Sequence, residues 1–324
     1  MQNLNLGLIS KNRNTVYGIA AFWIMLFHTN LVFEGRLSLI SKIMDIGNCG
    51  VDIFLFVSGI SLYYSFIKGC SLKDFYRHRM QRIILPVLLT TVPWFVFFAP
   101  SRKPGIGTFL LNITGLSLFT SGKRTIWFIP MILFCYAIYP LVFRVFKKTN
   151  HSIIVLLCLI FVCLAVNAGF RHFTPEFWKK SEIFFRRIPV FIIGSYCGKY
   201  VYEKRDLPFS HYQIVVSAVL LTVFFLITNQ YWARIIPVRY FYIVLGIICT
   251  LCFSVLGNIP LIKHFASWFA PITLELYLCQ EKYLKIVSRN FPDCGLVVTN
   301  LLAIILAIAT AYLLIHIERK VFSK

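Results

Sequence analysis

The chain carries about ten long apolar runs, and no other feature limits its fold so strongly. They cover residues 16–33, 49–67, 83–99, 126–145, 152–170, 188–202, 212–228, 240–256, 265–287 and 296–317. Most reach the roughly 17–25 residues that a helix needs to cross the apolar interior of a bilayer. Because lipid offers the backbone no hydrogen bonds, these runs predict an all-α, polytopic membrane helix bundle with about ten transmembrane helices.

Composition supports lipid as the main solvent. Hydrophobic residues make up 58% of the chain and charged residues 14%, and the mean hydropathy is +0.75. The net charge of +21 would suggest nucleic acid in a soluble protein, but the basic residues sit in short loops between apolar runs. Membrane lipids or an anionic substrate are therefore the expected partners, with no nucleic acid.

No repeat, low-complexity tract or Pro/Gly/Ser-rich linker divides the sequence, so we predict a single membrane-embedded domain over residues 1–324. Residues 108–120 are too short a segment to span and predict a half-helix or an interfacial helix. Prolines 93, 100 and 104 predict irregular backbone over residues 91–103. Most of the ten cysteines lie inside apolar runs, where we expect them to be packing residues, and we expect no metal site.

Basic residues are divided almost evenly between the two sides of the predicted bundle, so their total does not orient it. The tightest cluster, residues 68–82, favours a cytoplasmic location for the second loop. With an even number of spans, both termini are then cytoplasmic and residues 34–47 lie outside.

His28 lies within the first apolar run, where an ionisable side chain is costly and hence a functional candidate. A neutral imidazole suits a general base near pH 7. Tyr17 and Arg13 fall about 20° and 60° from its direction on a helix, so all three can share one groove. The alternatives are a histidine bonded to a backbone carbonyl, and an arginine that only anchors the helix.

Two further patterns accompany the second run. Asp52 opens it, where its carboxylate can orient an imidazole, pair with an arginine or cap the helix. Ser58 and Gly59 allow close helix contact. In the following loop, Arg79 and Arg82 are three residues apart and share a helical face. They suit a bidentate grip on phosphates, or they only set the topology.

Together these residues resemble the acyltransferase-3 family of integral membrane acyltransferases. The ordered set comprises the run ending in His28, residues 50–59, the Arg79–Arg82 loop leading to Pro86, Trp127-Phe128 with Tyr136 and Pro140, residues 187–194 beginning with Arg187, and residues 274–278 containing Glu275. This chain departs from the family pattern twice. Tyr17 stands where the family usually has arginine, and Gln280 stands where it usually has histidine.

The resemblance implies a bacterial plasma-membrane O-acyltransferase that moves an acyl group, in most cases acetyl, from cytoplasmic acyl-CoA to a hydroxyl of a cell-surface or lipid-linked glycan. Arg79 and Arg82 would bind the donor phosphates. His28 would be the general base or carry the acyl group, with Arg13, Tyr17 or Asp52 assisting. Ser58, Trp127, Arg187, Glu275 and Gln280 are further site candidates.

Two other functions fit the same residues. A carrier or flippase for an anionic or lipid-linked substrate would use intramembrane His28 and the acids as a proton or substrate path. A family member that binds acyl-CoA without turnover would explain Tyr17 and Gln280. Acyl-CoA-dependent transfer by purified protein distinguishes the enzyme from both.

Overall fold

The computed structural model describes residues 3–29, 38–98, 105–148, 152–235, 238–291 and 295–322. Nearly all of them are α-helical, which confirms the predicted class. The helices are α1 Gly7–Lys11, α2 Arg13–Thr29, α3 Ser38–Ile46, α4 Gly50–Ile67, α5 Leu72–Phe98, α6 Ile106–Thr114, α7 Ser117–Ser121, α8 Phe128–Lys148, α9 Ser152–Phe173, α10 Pro175–Phe185, α11 Ile188–Tyr202, α12 His211–Ile235, α13 Val238–Leu256, α14 Pro260–Phe269, α15 Thr273–Asn290 and α16 Leu296–Phe322.

Five helical segments of the described chain are long and apolar enough to cross a membrane. They are Ser41–Ile67, Leu72–Phe97, Phe128–Lys148, Ile153–Phe173 and Val297–Val321. Two shorter apolar helices, His211–Phe224 and Tyr240–Leu256, accompany them. This composition is that of a multi-pass membrane protein, whereas the number of ten spans stays a prediction.

The run 265–287 is not the single helix that the sequence predicted. It forms the end of α14, a 3-10 turn at Ala270–Ile272 and most of α15. Pro271 lies in this turn, and a proline has no backbone N–H to continue an α-helix. The interruption lets α14 pack on α2, where Gly18 faces the backbone of Ala266.

The prediction of irregular backbone over residues 91–103 is wrong for residues 91–98, because α5 continues through Pro86 and Pro93 to Phe98. Helices α15 and α16 contact α5, and neighbouring helices allow proline within a transmembrane helix. Residues 99–104 lie outside the described part. The short segment 108–120 lies in two short helices, α6 and α7, neither of which is long enough to cross a membrane, and its interfacial location stays a prediction.

Helices α4 and α11 share the most extensive contact between any two helices of the described chain. A β-carbon added at Gly59 would lie 2.5 Å from the carbonyl oxygen of Phe191, and Gly194 faces the backbone of Phe56 in the same way. This confirms the close contact predicted at Ser58-Gly59. A small antiparallel sheet, β1 Asn3–Asn5 with β2 Asp206–Ser210, joins the start of the chain to the segment after α11.

Candidate functional site

A basic cavity of about 410 Å³ lies among α2, α4, α5, α8 and the start of α15. Four cationic side chains line it: Arg13, Lys68, Arg79 and Arg82. They belong to different elements of the fold. Arg13 is the first residue of α2, Lys68 directly follows α4, and Arg79 and Arg82 lie in the first half of α5. The four charges therefore come together only when these three helices assemble.

None of the four cations forms a close ion pair with an acid of the described chain. No described carboxylate lies within 4.0 Å of their charged nitrogens, as the ion pairs involve other residues. The Arg79 guanidinium is instead held over the ring of Tyr136, at 5.3 Å from the ring centre. A concave surface with several positive charges concentrates anions, and paired guanidiniums favour phosphate.

A narrower apolar pocket of about 70 Å³ adjoins this cavity. The two share four lining residues: Phe54, Phe128, Thr273 and Leu274. Tyr17 lies at this junction, stacked on Phe54 with 5.1 Å between ring centres. The pocket then continues between Ala21, Ile24, Val51, Leu276 and Tyr277, and its lining includes Gln280. Thr273 and Gln280 are seven residues apart on α15, or about 10 Å along its axis.

His28 lies beside Gln280, near the end of α2. Its Nδ1 is 2.9 Å from the carbonyl oxygen of Ile24 and 3.2 Å from the side-chain Nε2 of Gln280. Arg187 and Glu281 are the charged groups that act electrostatically on the ring. The ring is half-buried. Arg13 is 15 residues earlier, about 22 Å along the helix axis, so cavity and histidine lie at different depths.

The two neighbours of Nδ1 demand opposite tautomers, because the Ile24 carbonyl only accepts and an amide NH₂ only donates. A flip of the Gln280 side-chain amide, which exchanges its oxygen and nitrogen, places Oε1 next to Nδ1 of His28. This oxygen is buried and has no hydrogen-bond partner among the described residues. Both neighbours then favour Nδ1–H, which leaves a lone pair on Nε2 for accepting a proton.

Asp52 is paired with Arg187 instead of lining either space. The Arg187 Nε lies 3.6 Å from Asp52 Oδ1, and both side chains are fully buried. Arg187 also donates to Asn48 Oδ1 at 2.7 Å and lies over the Trp127 ring at 4.9 Å. Three of the predicted candidates thus form one buried cluster that links α4, α11 and the segment before α8.

Glu275 meets another acid. Its carboxyl and that of Glu318 on α16 act electrostatically on each other, and Arg82 is the cation that acts on both. Glu281 lies farther along α15 and pairs with Lys285 at 2.5 Å. Among the remaining candidates, Ser58 lines the basic cavity.

Sequence reasoning missed three charged residues near these sites. Lys68 was treated only as part of a topology-setting cluster, although it directly follows an apolar run. Lys282 lies inside the run 265–287 and carried the same signal of an ionisable group among apolar residues as Glu275. Glu318 had no such signal, because it lies just beyond the last run.

Comparison with known proteins adds one finding. A family model described as an acyltransferase domain, of the acyltransferase-3 type, matches residues 16–316. No curated protein matches the chain significantly. No solved structure does so either. The family model covers most of the sequence, and the apolar helices suit a membrane. The chain therefore belongs to the acyltransferase-3 family of membrane acyltransferases.

Proposed function

We propose that the protein transfers a short acyl group, in the simplest case acetyl, from cytoplasmic acyl-CoA to a hydroxyl of a cell-surface or lipid-linked glycan in a bacterial plasma membrane. The observation that carries this proposal is the junction of the basic cavity with the apolar pocket through Phe54, Phe128, Thr273 and Leu274. One path thereby leads from four cations to Gln280 and His28.

The donor would occupy this path from its charged to its apolar end. Arg79, Arg82, Arg13 and Lys68 bind the phosphates of CoA, whose negative charge matches the cavity. The pantetheine arm enters the apolar pocket. The thioester carbonyl then lies near Gln280, the pocket residue that contacts His28.

His28 acts as the general base in this scheme. Its Nε2 takes the proton of the acceptor hydroxyl as that oxygen attacks the thioester carbonyl. The carbon–sulfur bond breaks, and the CoA thiolate leaves and takes the proton from His28. Ile24 fixes the ring by accepting from Nδ1–H, which is the arrangement that a base acting through Nε2 needs.

The test is acyl transfer from radiolabelled acetyl-CoA by the purified protein, with a membrane glycolipid extract as acceptor. Arg79→Gln with Arg82→Gln should raise the apparent KM for the donor by at least about thirtyfold, since two charge-assisted contacts are lost. Arg77→Gln is the matched control, because Arg77 belongs to the same helix but does not line the cavity.

Acceptor-dependent release of CoA by wild type and by Arg77→Gln supports the proposal. Absence of any transfer, with CoA still bound, contradicts it and favours a carrier or a binding protein. An unchanged KM in the double variant would show that the two arginines only set the topology.

A further inference from the structure

A third pocket, of about 120 Å³, lies between α5, α15 and α16. Its polar lining consists of Thr90, Trp94, Lys282, Tyr283 and Thr310. It shares no lining residue with the basic cavity or the apolar pocket described above. The acyl-transfer path therefore does not account for it.

Lys282 is the unusual residue of this pocket. It is only 6% exposed, and its Nζ donates to Thr91 Oγ1 at 3.3 Å. No carboxylate in the described part of the chain lies within 4.0 Å of this nitrogen. The adjacent acid, Glu281, pairs with Lys285 instead. An ammonium group has three donors, and a buried charge is costly without a partner. One hydroxyl leaves most of that demand unmet.

The surroundings of the pocket are apolar and face outward. Phe97 on α5 is 75% exposed and Leu313 on α16 is 59% exposed, and both belong to helices that line the pocket. In a membrane protein such side chains contact lipid. A ligand that reaches Lys282 from this side meets an apolar surface and a buried cation together.

We infer that this pocket binds the phosphate of an anionic lipid, with Lys282 as the ion partner and the lipid chains along the exposed apolar residues of α5 and α16. The phosphate supplies the negative charge that Lys282 lacks and accepts its two remaining N–H donors. Lys282 and Gln280 are two residues apart, about 200° around α15, so the lipid lies on the face opposite the acyl-transfer path.

Native mass spectrometry of the purified full-length protein in detergent tests this site. The probes are phosphatidylglycerol and phosphatidylcholine with identical acyl chains. Wild type should bind the first phosphatidylglycerol about tenfold or more tightly than phosphatidylcholine, because the choline cation of phosphatidylcholine already neutralises its phosphate. Lys282→Met should abolish that preference. Lys285→Met, which removes a neighbouring exposed lysine, should keep it.

Three results would overturn the inference. One is a Lys282→Met protein that keeps the full preference. Another is displacement of the lipid by millimolar inorganic phosphate, which would show that the pocket takes free phosphate without chains. If Lys282→Met does not fold, wild type is treated with an amine-acylating reagent instead. Phosphatidylglycerol should then reduce labelling of Lys282 at least fivefold and leave Lys285 unchanged, and equal labelling is the third contrary result.

Discussion

The guanidinium of Arg187 lies 3.6 Å from the carboxylate of Asp52, and neither side chain has any contact with solvent. Arg187 directly precedes α11 and Asp52 lies in the first turn of α4, and these two helices pack closely together. Charges so deeply buried are stabilising only as a pair, because each one alone would remain desolvated. We therefore expect Asp52 to act in folding and not as a catalytic group.

Removing one partner of this pair should destabilise the protein strongly. Asp52→Ala or Arg187→Met should each lower the free energy of unfolding by about 3–5 kcal/mol. The double variant should cost clearly less than the sum of the two, because it leaves no unpaired charge. Thermal unfolding in detergent measures all three. If Asp52→Ala were as stable as wild type but had lost turnover, Asp52 would be assigned to the chemistry instead.

The narrow passage between cavity and pocket provides a second prediction. Thr273 is half-buried and belongs to both linings, so a larger side chain there closes the path without changing the cations. Thr273→Phe should reduce turnover at least about tenfold, because the thioester of the donor can no longer reach its reacting position. CoA affinity should stay within threefold of wild type, because the phosphate contacts remain.

Thr273→Ser is the control for this substitution, since it keeps the passage open. Transfer rates at saturating donor and CoA binding by calorimetry provide the two measurements. Undiminished turnover in Thr273→Phe would mean that the acyl group reaches His28 by another route.

Sequence alone predicted the helices well and their contacts poorly. Apolar periodicity is a local property, so α4, α5, α8, α9 and α16 follow from runs of the right length. Asn48 and Arg187 are 139 residues apart, and His28 and Gln280 are 252 apart. Such pairs depend on how helices pack, which no local pattern encodes.

The same limit explains the residues of the basic cavity. Arg79 and Arg82 were recognisable because they are close in sequence, and Arg13 and Tyr17 because a helix brings them to one side. Lys68 joins them only through the packing of α4 against α2 and α8. Pro271 marked the break before α15, but its effect was hidden within a run of spanning length.

The membrane orientation is a third prediction. The basic cluster of residues 68–82 should be cytoplasmic, and position 36, outside the described residues, should lie on the other side. Single cysteines are introduced as Arg36→Cys and Lys73→Cys in a cysteine-free background. A thiol reagent that cannot cross the membrane should label the first in intact cells and the second only after permeabilisation. The reverse pattern would place the basic cavity away from cytoplasmic acyl-CoA.

His28 provides the most direct test of the chemistry. Its ring is fixed by the Ile24 carbonyl and contacts Gln280 at the inner pocket. His28→Ala should insert and fold, because one half-buried polar group contributes little to packing. Turnover should nevertheless fall about a hundredfold or more, which is the usual contribution of a positioned general base.

His28→Gln distinguishes a general base from a structural histidine, since glutamine keeps hydrogen bonding to Ile24 but cannot accept a proton at neutral pH. We expect it to be as inactive as His28→Ala while binding CoA like wild type, because Arg13, in the cavity proposed to bind the phosphates, lies about 22 Å away along α2. Rates are compared at saturating donor and equal amounts of membrane-inserted protein. Near wild-type transfer by the Gln variant would remove His28 from the role of general base and leave only its hydrogen bonds as the reason for its position.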